Sequence, residues 1–229
     1  MNDTLIKKKG KINKKKLLLF LLVVLFVVLN VIILLKQPIK NIYVKNNTIY
    51  TDQEIIELAE LENYPSFLLS GKSAIKKRIL KNQLIKQVNV KKGFKRTVVI
   101  TITEYKVLFL KDNKYFLENK KEVLTDKINY NVPNLINNVP TNIYDKFIEC
   151  LIATDNDILK MISEIKYDPN EIDSERFILS MNDGNYVYLT LSDFDKINSY
   201  KSIVKNIGDN VGIFYLDFGN YFEPSENIK

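Results

Sequence analysis

The sequence predicts an α+β protein of two folded blocks behind one membrane-spanning helix, and three observations carry that prediction. Leu17 to Leu35 runs without a single charge. Past Pro38, several short stretches alternate apolar and polar residues with the period of two that marks half-buried strands. Between them lie segments with helical apolar spacing and helix-start signals.

The apolar run comes first. At 1.5 Å of rise per residue it makes a helix of about 28 Å, close to the hydrocarbon thickness of a bilayer. Its one polar residue is Asn30. A cleaved signal peptide has a shorter apolar core followed by small residues, whereas this run ends in Lys36-Gln37-Pro38-Ile39. An uncleaved anchor over 17–35 is expected. Before it, residues 1–16 hold seven lysines against Asp3, so they carry +6 of the chain's net +7. Cytoplasmic flanks carry the excess of Lys and Arg. The amino terminus is therefore expected inside, as a basic cytoplasmic tail over 1–16, with the rest outside. Because the excess charge belongs to that tail, where it can sit on anionic headgroups, nucleic-acid binding is not expected.

Composition excludes several chemistries. There is no histidine, so a histidine metal site or a Ser-His-Asp or Cys-His nucleophile is impossible. Cys150 is the lone cysteine, which rules out an internal disulfide; it is expected to be a small buried residue on a helix. No catalytic, cofactor-binding or metal residues are assigned, and no cofactor is expected.

The first block, 39–104, opens with an extended segment at Asn41–Lys45. Thr51-Asp52-Gln53-Glu54 has capping-box spacing and starts a helix with Ile55, Leu58 and Ala59 on one face, stopped by Asn63-Tyr64-Pro65. A second helix is predicted from Ser73 to Leu84, with Ile75, Ile79, Leu80 and Leu84 inward. Lys72, Lys76, Lys77, Arg78 and Lys81 make its basic outer side, read as a solvated face, with anionic polymer or headgroups as the alternative. Val88 and Val90, then Val98, Ile100 and Ile102, mark two strands. The order is β-α-α-β-β.

The second block, 105–222, begins with strands at Val107–Leu110, Tyr115–Leu117 and Glu122–Leu124. A helix is expected over Thr141–Ala153, one more turn at Asp157–Met161 and a strand at Ile162–Tyr167. Arg176–Met181 turns at Asp183-Gly184 into Asn185–Leu191, a pair suited to a type I′ turn. Ser192 can cap a helix reaching Ile207, Gly212–Phe218 is a last strand, and 223–229 is a polar tail. The two blocks are expected to have separate cores and a short join at Tyr105.

In their order along the chain these stretches resemble the FtsQ/DivIB family of bacterial division proteins. Ile42–Asn47 is similar to the opening strand and turn of that family's POTRA domain, Thr51–Ile55 to its "s-x-e-e-I" helix start, and Ser66–Leu69 to "g-x-N-l-l". Lys92–Glu104 resembles "R-x-x-P-x-T-L-x-I-x-V-x-E", except that Lys95 stands for the proline; Tyr105 stands for the arginine that follows. Tyr115–Glu118 is similar to "Y-x-I-D" and Val132–Ile136 to "l-P-l-I". Gly184–Leu189, a lysine-containing helix and Tyr215-Leu216-Asp217 resemble the final hairpin, helix and "v-D-l" strand.

The resemblance implies a POTRA domain followed by a second β-rich domain. It also implies a scaffold without chemistry of its own. Its partners would be FtsL and DivIC (FtsB-like) proteins, with a possible septal peptidoglycan synthase complex, at the division septum. The interface implied is near the carboxy-terminal strand. There the last strand is expected to leave an edge open to strand addition, so Tyr215, Tyr221 and Phe222 are expected to face the partner. Two alternatives remain open. One is an exported POTRA-type chaperone or secretion component, although the chain after Tyr105 is short for a membrane β-barrel. The other is a membrane-anchored cell-wall enzyme using paired carboxylates, Glu104 with Asp112 or Asp155 with Asp157, though no motif places them across a substrate.

Overall fold

In a computed structural model that describes residues 13–208 and 210–225, the apolar run forms helix α1, Lys14–Leu35. Most of the basic tail and the end of the 223–229 tail lie outside the described residues. Helix α1 is long and apolar enough to cross a membrane and its side chains are exposed throughout. Asn30 donates its amide N–H to the Phe26 carbonyl at 2.8 Å, which satisfies a donor that lipid cannot.

Contacts divide the chain into two units. The first takes in residues up to Asn47 with Thr51–Asn82 and Gln87–Ile102; the second takes in Thr48–Tyr50, Gln83–Lys86 and residues from Thr103 on.

The first unit holds β1 (Asn41–Lys45), α2 (Asp52–Leu58), α3 (Lys72–Ile79) and most of β2 (Ile85–Gly93) and β3 (Thr97–Glu104), with sheet order β1-β3-β2. The β-α-α-β-β order is the one the sequence predicts. Strand β1 pairs with β3 in parallel, Asn41 opposite Thr97. On β3 the alternation is strict: Val98, Ile100 and Ile102 are buried, as are Ile55, Ile75 and Ile79 of the two helices, and Thr97, Val99 and Thr101 are half-exposed. Thr51 and Glu54 form the reciprocal capping box.

Two helix ends differ from expectation. Helix α2 stops at Leu58, well before Pro65, because the chain turns back on itself. The Glu60 N–H bonds the Glu57 carbonyl at 2.8 Å and the Leu61 N–H bonds the Ile56 carbonyl at 3.0 Å, with Glu60 left-handed at φ 55°. This is a Schellman ending, hidden in the sequence because glutamate stands where glycine is usual. Helix α3 ends at Ile79, leaving Leu80 37% exposed at its C-cap rather than inward. The Lys95 departure also has a physical reason. Its φ of 55° is closed to proline, whose ring holds φ near −65°.

In the second unit, β4 (Val107–Lys111), β5 (Lys114–Leu117), β6 (Glu122–Val123) and β7 (Asn134–Leu135) precede α4 (Thr141–Ala153) and α5 (Asn156–Leu159). Then come β8 (Ile162–Tyr167), β9 (Arg176–Met181), β10 (Tyr186–Thr190), a 3-10 stretch over Leu191–Ser199, α6 (Tyr200–Ile207), β11 (Gly212–Tyr215) and β12 (Tyr221–Pro224). The sheet order is β12-β11-β10-β9-β8-β7-β4-β5-β6. Parallel neighbours need crossovers. Helices α4 and α5 supply one between parallel β7 and β8, and the 3-10 stretch with α6 supplies one between parallel β10 and β11. The core lies under these helices, where Phe147 stacks on Phe177 at 5.0 Å.

Three further expectations are corrected. The hairpin turn is not type I′, since positive φ is confined to Gly184 (91°) and Asp183 lacks it. The Gly184 N–H closes a turn on the Met181 carbonyl at 3.1 Å, and the Met181 N–H reaches the Asn185 carbonyl at 2.8 Å, giving the three-residue form. Ser192 starts no regular helix, because 3-10 geometry runs to Ser199 before α6 begins. Finally, Gly212–Phe218 is not one strand and not the edge. Residues 216–220 turn, Asn220 and Gly219 take positive φ (49° and 79°), and β12 returns antiparallel to cover β11.

A candidate partner-binding edge

Strand β11 is held between neighbours by its own composition. Gly212 has no side chain, and a Cβ there would lie 2.1 Å from the Glu223 carbonyl oxygen, so only glycine allows β12 this close. Its N–H donates to the Asn185 Oδ1 at 2.9 Å, a bond buried between the hairpin and β11. Nearby, the Tyr200 hydroxyl donates to both Asp183 carboxylate oxygens at 2.9 Å. Burial, and then the bond to Asp183, push the Tyr200 hydroxyl's pKa up. Both sides of the hairpin tip are thereby fastened, one to β11 and one to α6.

The pairing Phe214 opposite Phe222 and Tyr215 opposite Tyr221 sends these residues to two faces. On the helix-covered face, Phe214 meets Phe222 at 4.7 Å between ring centroids. Both line a groove of about 420 Å³ with Ile203, Ile207 and Leu216. Lys196 closes one side, its ammonium donating to the Leu216 carbonyl at 3.0 Å and the Asn220 side chain at 3.2 Å.

The opposite face carries a ladder of rings. Tyr221 stacks on Tyr215 at 4.6 Å, Tyr215 on Tyr188 at 5.4 Å, and the Arg176 guanidinium lies 3.7 Å over Tyr188. That arginine donates from Nε to Asp217 at 2.7 Å and from an η nitrogen to Asp168 at 3.3 Å. The Arg176 and Asp217 side chains are only 14% and 11% exposed, and the second Asp217 oxygen is buried without a hydrogen-bond partner. The Tyr215 hydroxyl donates to Glu223 at 3.2 Å; desolvation, followed by that bond, raises its pKa.

The structure thus brings Tyr215 and Tyr221 together on one face, with Tyr221 49% exposed, and turns the Phe222 side chain to the other. Parity of the ladder follows from the Ser225 N–H, which bonds the Val211 carbonyl at 2.8 Å. In an antiparallel pair such bonds recur at every second residue. Tyr221 and Glu223 accordingly point their backbone groups at β11, while Phe222 points its N–H and C=O outward. Pro224, with no N–H to lose, suits this edge.

Sequence reasoning missed Arg176, Asp217, Asp183 and Tyr200. Asp217 was marked only through the "v-D-l" likeness, and Asp183 and Arg176 only as a turn residue and a strand start, none of them with the role it has here. The carboxylates considered for catalysis have other surroundings. Glu104 accepts the backbone N–H groups of Thr48 and Ile49 at 3.0 Å and of Tyr50 at 3.3 Å, anchoring that segment. Asp112 sits in the β4–β5 turn at φ 49°. Asp155 and Asp157 flank a polar surface cleft where Lys201 pairs with Asp157 at 3.2 Å. Cys150 is half-buried on α4; its thiol donates to the Leu191 carbonyl at 3.4 Å, and burial raises its pKa.

Comparison with known proteins relates this chain to bacterial cell division proteins. Residues 37–105 match the FtsQ-type POTRA domain. The cell division protein DivIB of Bacillus subtilis (strain 168) is 31% identical over 207 residues, covering 84% of this chain and 78% of that protein. DivIB of Geobacillus kaustophilus (strain HTA426) is 28% identical over 193 residues, covering 80% and 74%. A solved major extracytoplasmic domain of DivIB from Geobacillus stearothermophilus aligns with 48% of this chain and 98% of its own, at 26% identity and a TM-score of 0.37. With 31% identity to the Bacillus subtilis protein over an alignment that spans most of both chains, this chain belongs to the DivIB family of cell division proteins.

Proposed function

We propose that this chain is a membrane-anchored division scaffold with no chemistry of its own, which binds DivIC-type (FtsB-like) and FtsL-type partners and so helps organise septal peptidoglycan synthesis. The observation that carries the reading is the outer edge of β12, where Phe222 offers its backbone N–H and C=O beside the exposed Tyr221 ring. A strand added there gains backbone bonds from Phe222 and side-chain contact from Tyr221, with Tyr215 beneath it in the stack. The Phe222 side chain supports that edge from below by packing on Phe214.

Because Phe222→Ala would also loosen the groove, the discriminating variant is Tyr221→Ala. In full-length protein reconstituted with a DivIC-type partner, affinity is expected to fall at least about tenfold, the loss of one interface anchor. Unchanged affinity, with an unchanged melting temperature, would place the interface on another face.

The same reading puts the amino terminus in the cytoplasm, the anchor at 17–35, a POTRA domain at 39–104 and a second domain at 105–222. Support comes from the lysine excess before Leu17 and from the POTRA match ending at residue 105. Protease added to intact protoplasts is expected to digest everything beyond Pro38 and leave a small protected fragment, with Tyr105–Asn113 among the last sites cut. Survival of the large exterior portion would reverse the orientation.

A further inference from the structure

Where α1 ends, the chain does not swing free. The Ser66 hydroxyl bonds the Leu35 carbonyl, the Phe67 N–H bonds the Gln37 carbonyl at 2.8 Å, and the Ile39 N–H bonds the Pro65 carbonyl at 2.9 Å. The turn between β2 and β3 is tied to the same strip. Arg96 reaches the Gln37 side chain, its carbonyl accepts the Lys40 N–H at 3.0 Å, and the Lys92 ammonium bonds the Phe67 carbonyl and sits 4.7 Å over the Phe67 ring.

Both segments are therefore hydrogen-bonded to the stretch of chain Leu35–Lys40 at the end of α1. They also carry side chains that a water-facing surface does not favour: Leu68 is 55% exposed, Leu69 69% and Phe94 88%. Lysines ring them. Lys72 and Lys95 are exposed, and Lys72 lies close enough to lower the pKa of Lys92, after the larger effect of burial.

We propose that this face of the first unit is a lipid-docking surface, with Leu68, Leu69 and Phe94 entering the headgroup boundary of an anionic membrane and Lys72, Lys92 and Lys95 meeting its phosphates. The occupant follows from continuity and charge. A bilayer already begins at Leu35 if α1 spans it, apolar tips flanked by lysine stems match an interface, and anionic headgroups relieve the crowding of Lys72 and Lys92. A hydrated wall polymer would match the lysines but leave three large apolar side chains in water. The inference rests on α1 being the anchor, and that premise is checked separately by whether the full chain enters nanodiscs at all.

The chain contains no tryptophan, so Leu69→Trp and Phe94→Trp each install a single reporter at an exposed site. In nanodiscs of phosphatidylglycerol, brominated acyl chains are expected to quench both reporters at least about twofold, while the water-soluble quencher acrylamide loses access to them. Replacing the lipid with phosphatidylcholine, or adding Lys72→Gln with Lys95→Gln, is expected to weaken the bromolipid quenching by about half. Three results would overturn the proposal. They are no bromolipid quenching of either reporter in chains that do enter nanodiscs, equal quenching in the two lipids, and shielding that appears only when soluble peptidoglycan is added.

Discussion

Gly212→Ala is expected to release β12 from the sheet and abolish partner capture while leaving α1 and the first unit intact. The added Cβ would lie 2.1 Å from the Glu223 carbonyl oxygen, and 2.9 Å from both its carbonyl carbon and the Phe222 ring. Two of those three atoms are backbone, so no rotamer change relieves the clash; the strand itself must move. Overpacking of this kind costs about 2 kcal/mol, a fall of roughly 8 °C in melting temperature for a domain of this size. Loss of the β12 edge removes the surface that the scaffold reading requires, so DivIC-type binding should disappear and protease should newly cut after Leu216. Gly93→Ala is the matched control, since its Cβ would meet nothing nearer than 3.9 Å. A Gly212→Ala protein that loses stability yet keeps its partner would show that β12 is not needed for binding, and one that keeps its melting temperature would show that β12 stays seated beside the added Cβ.

Arg176→Ala should have the second large effect, this time on stability first. It strands Asp217, 11% exposed and already holding one oxygen without a hydrogen-bond partner, next to Asp168. Removing one member of a mostly buried pair costs about 3 kcal/mol, most of it the burial of an uncompensated charge. The guanidinium also roofs the Tyr188–Tyr215–Tyr221 stack, so partner affinity should weaken as well. Arg176→Lys should rescue only part of the loss, because an ammonium cannot reproduce the fork across two carboxylates and the flat contact with Tyr188. Arg176→Met combined with Asp217→Leu should recover most of the stability, since an apolar pair leaves no buried charge. Denaturant midpoints of the four proteins check this. If the double variant is as unstable as Arg176→Ala, packing rather than charge accounts for the cost.

Much of the fold was legible because local signals and burial agreed. The capping box at Thr51, the apolar spacing of Ile143, Phe147 and Leu151 on α4, and the alternation Val98, Ile100, Ile102 each state a period and a boundary in a few residues. Where a boundary depended on an atypical residue, the sequence misled. Glu60 fills a position that glycine usually marks, so the sequence shows no stop for α2 before Asn63-Tyr64-Pro65. Asp183-Gly184 resembled a two-residue turn, although only Gly184 takes positive φ.

The candidate site shows the same division. The aromatic crowding between Phe214 and Phe222 was plain in the sequence, and so was the strand beginning at Gly212. Which ring faces where depended on the turn at 216–220. That turn reverses the chain, sets Phe222 opposite Phe214, and makes β12 rather than β11 the edge. Asn220 and Gly219, both at positive φ, carry the reversal, but a run such as Leu216-Asp217-Phe218 reads equally well as strand.

The sequence alone therefore determined the apolar helix α1, the β-α-α-β-β block and the family, because uninterrupted hydrophobicity and short-range periodicity are properties of neighbouring residues. The tertiary structure alone decided the sheet order, the Arg176–Asp217 clamp 41 residues apart and the choice of open edge. Those depend on which distant strands exclude water from one another, and nothing within a few residues of Arg176 or Phe222 encodes the partner it meets.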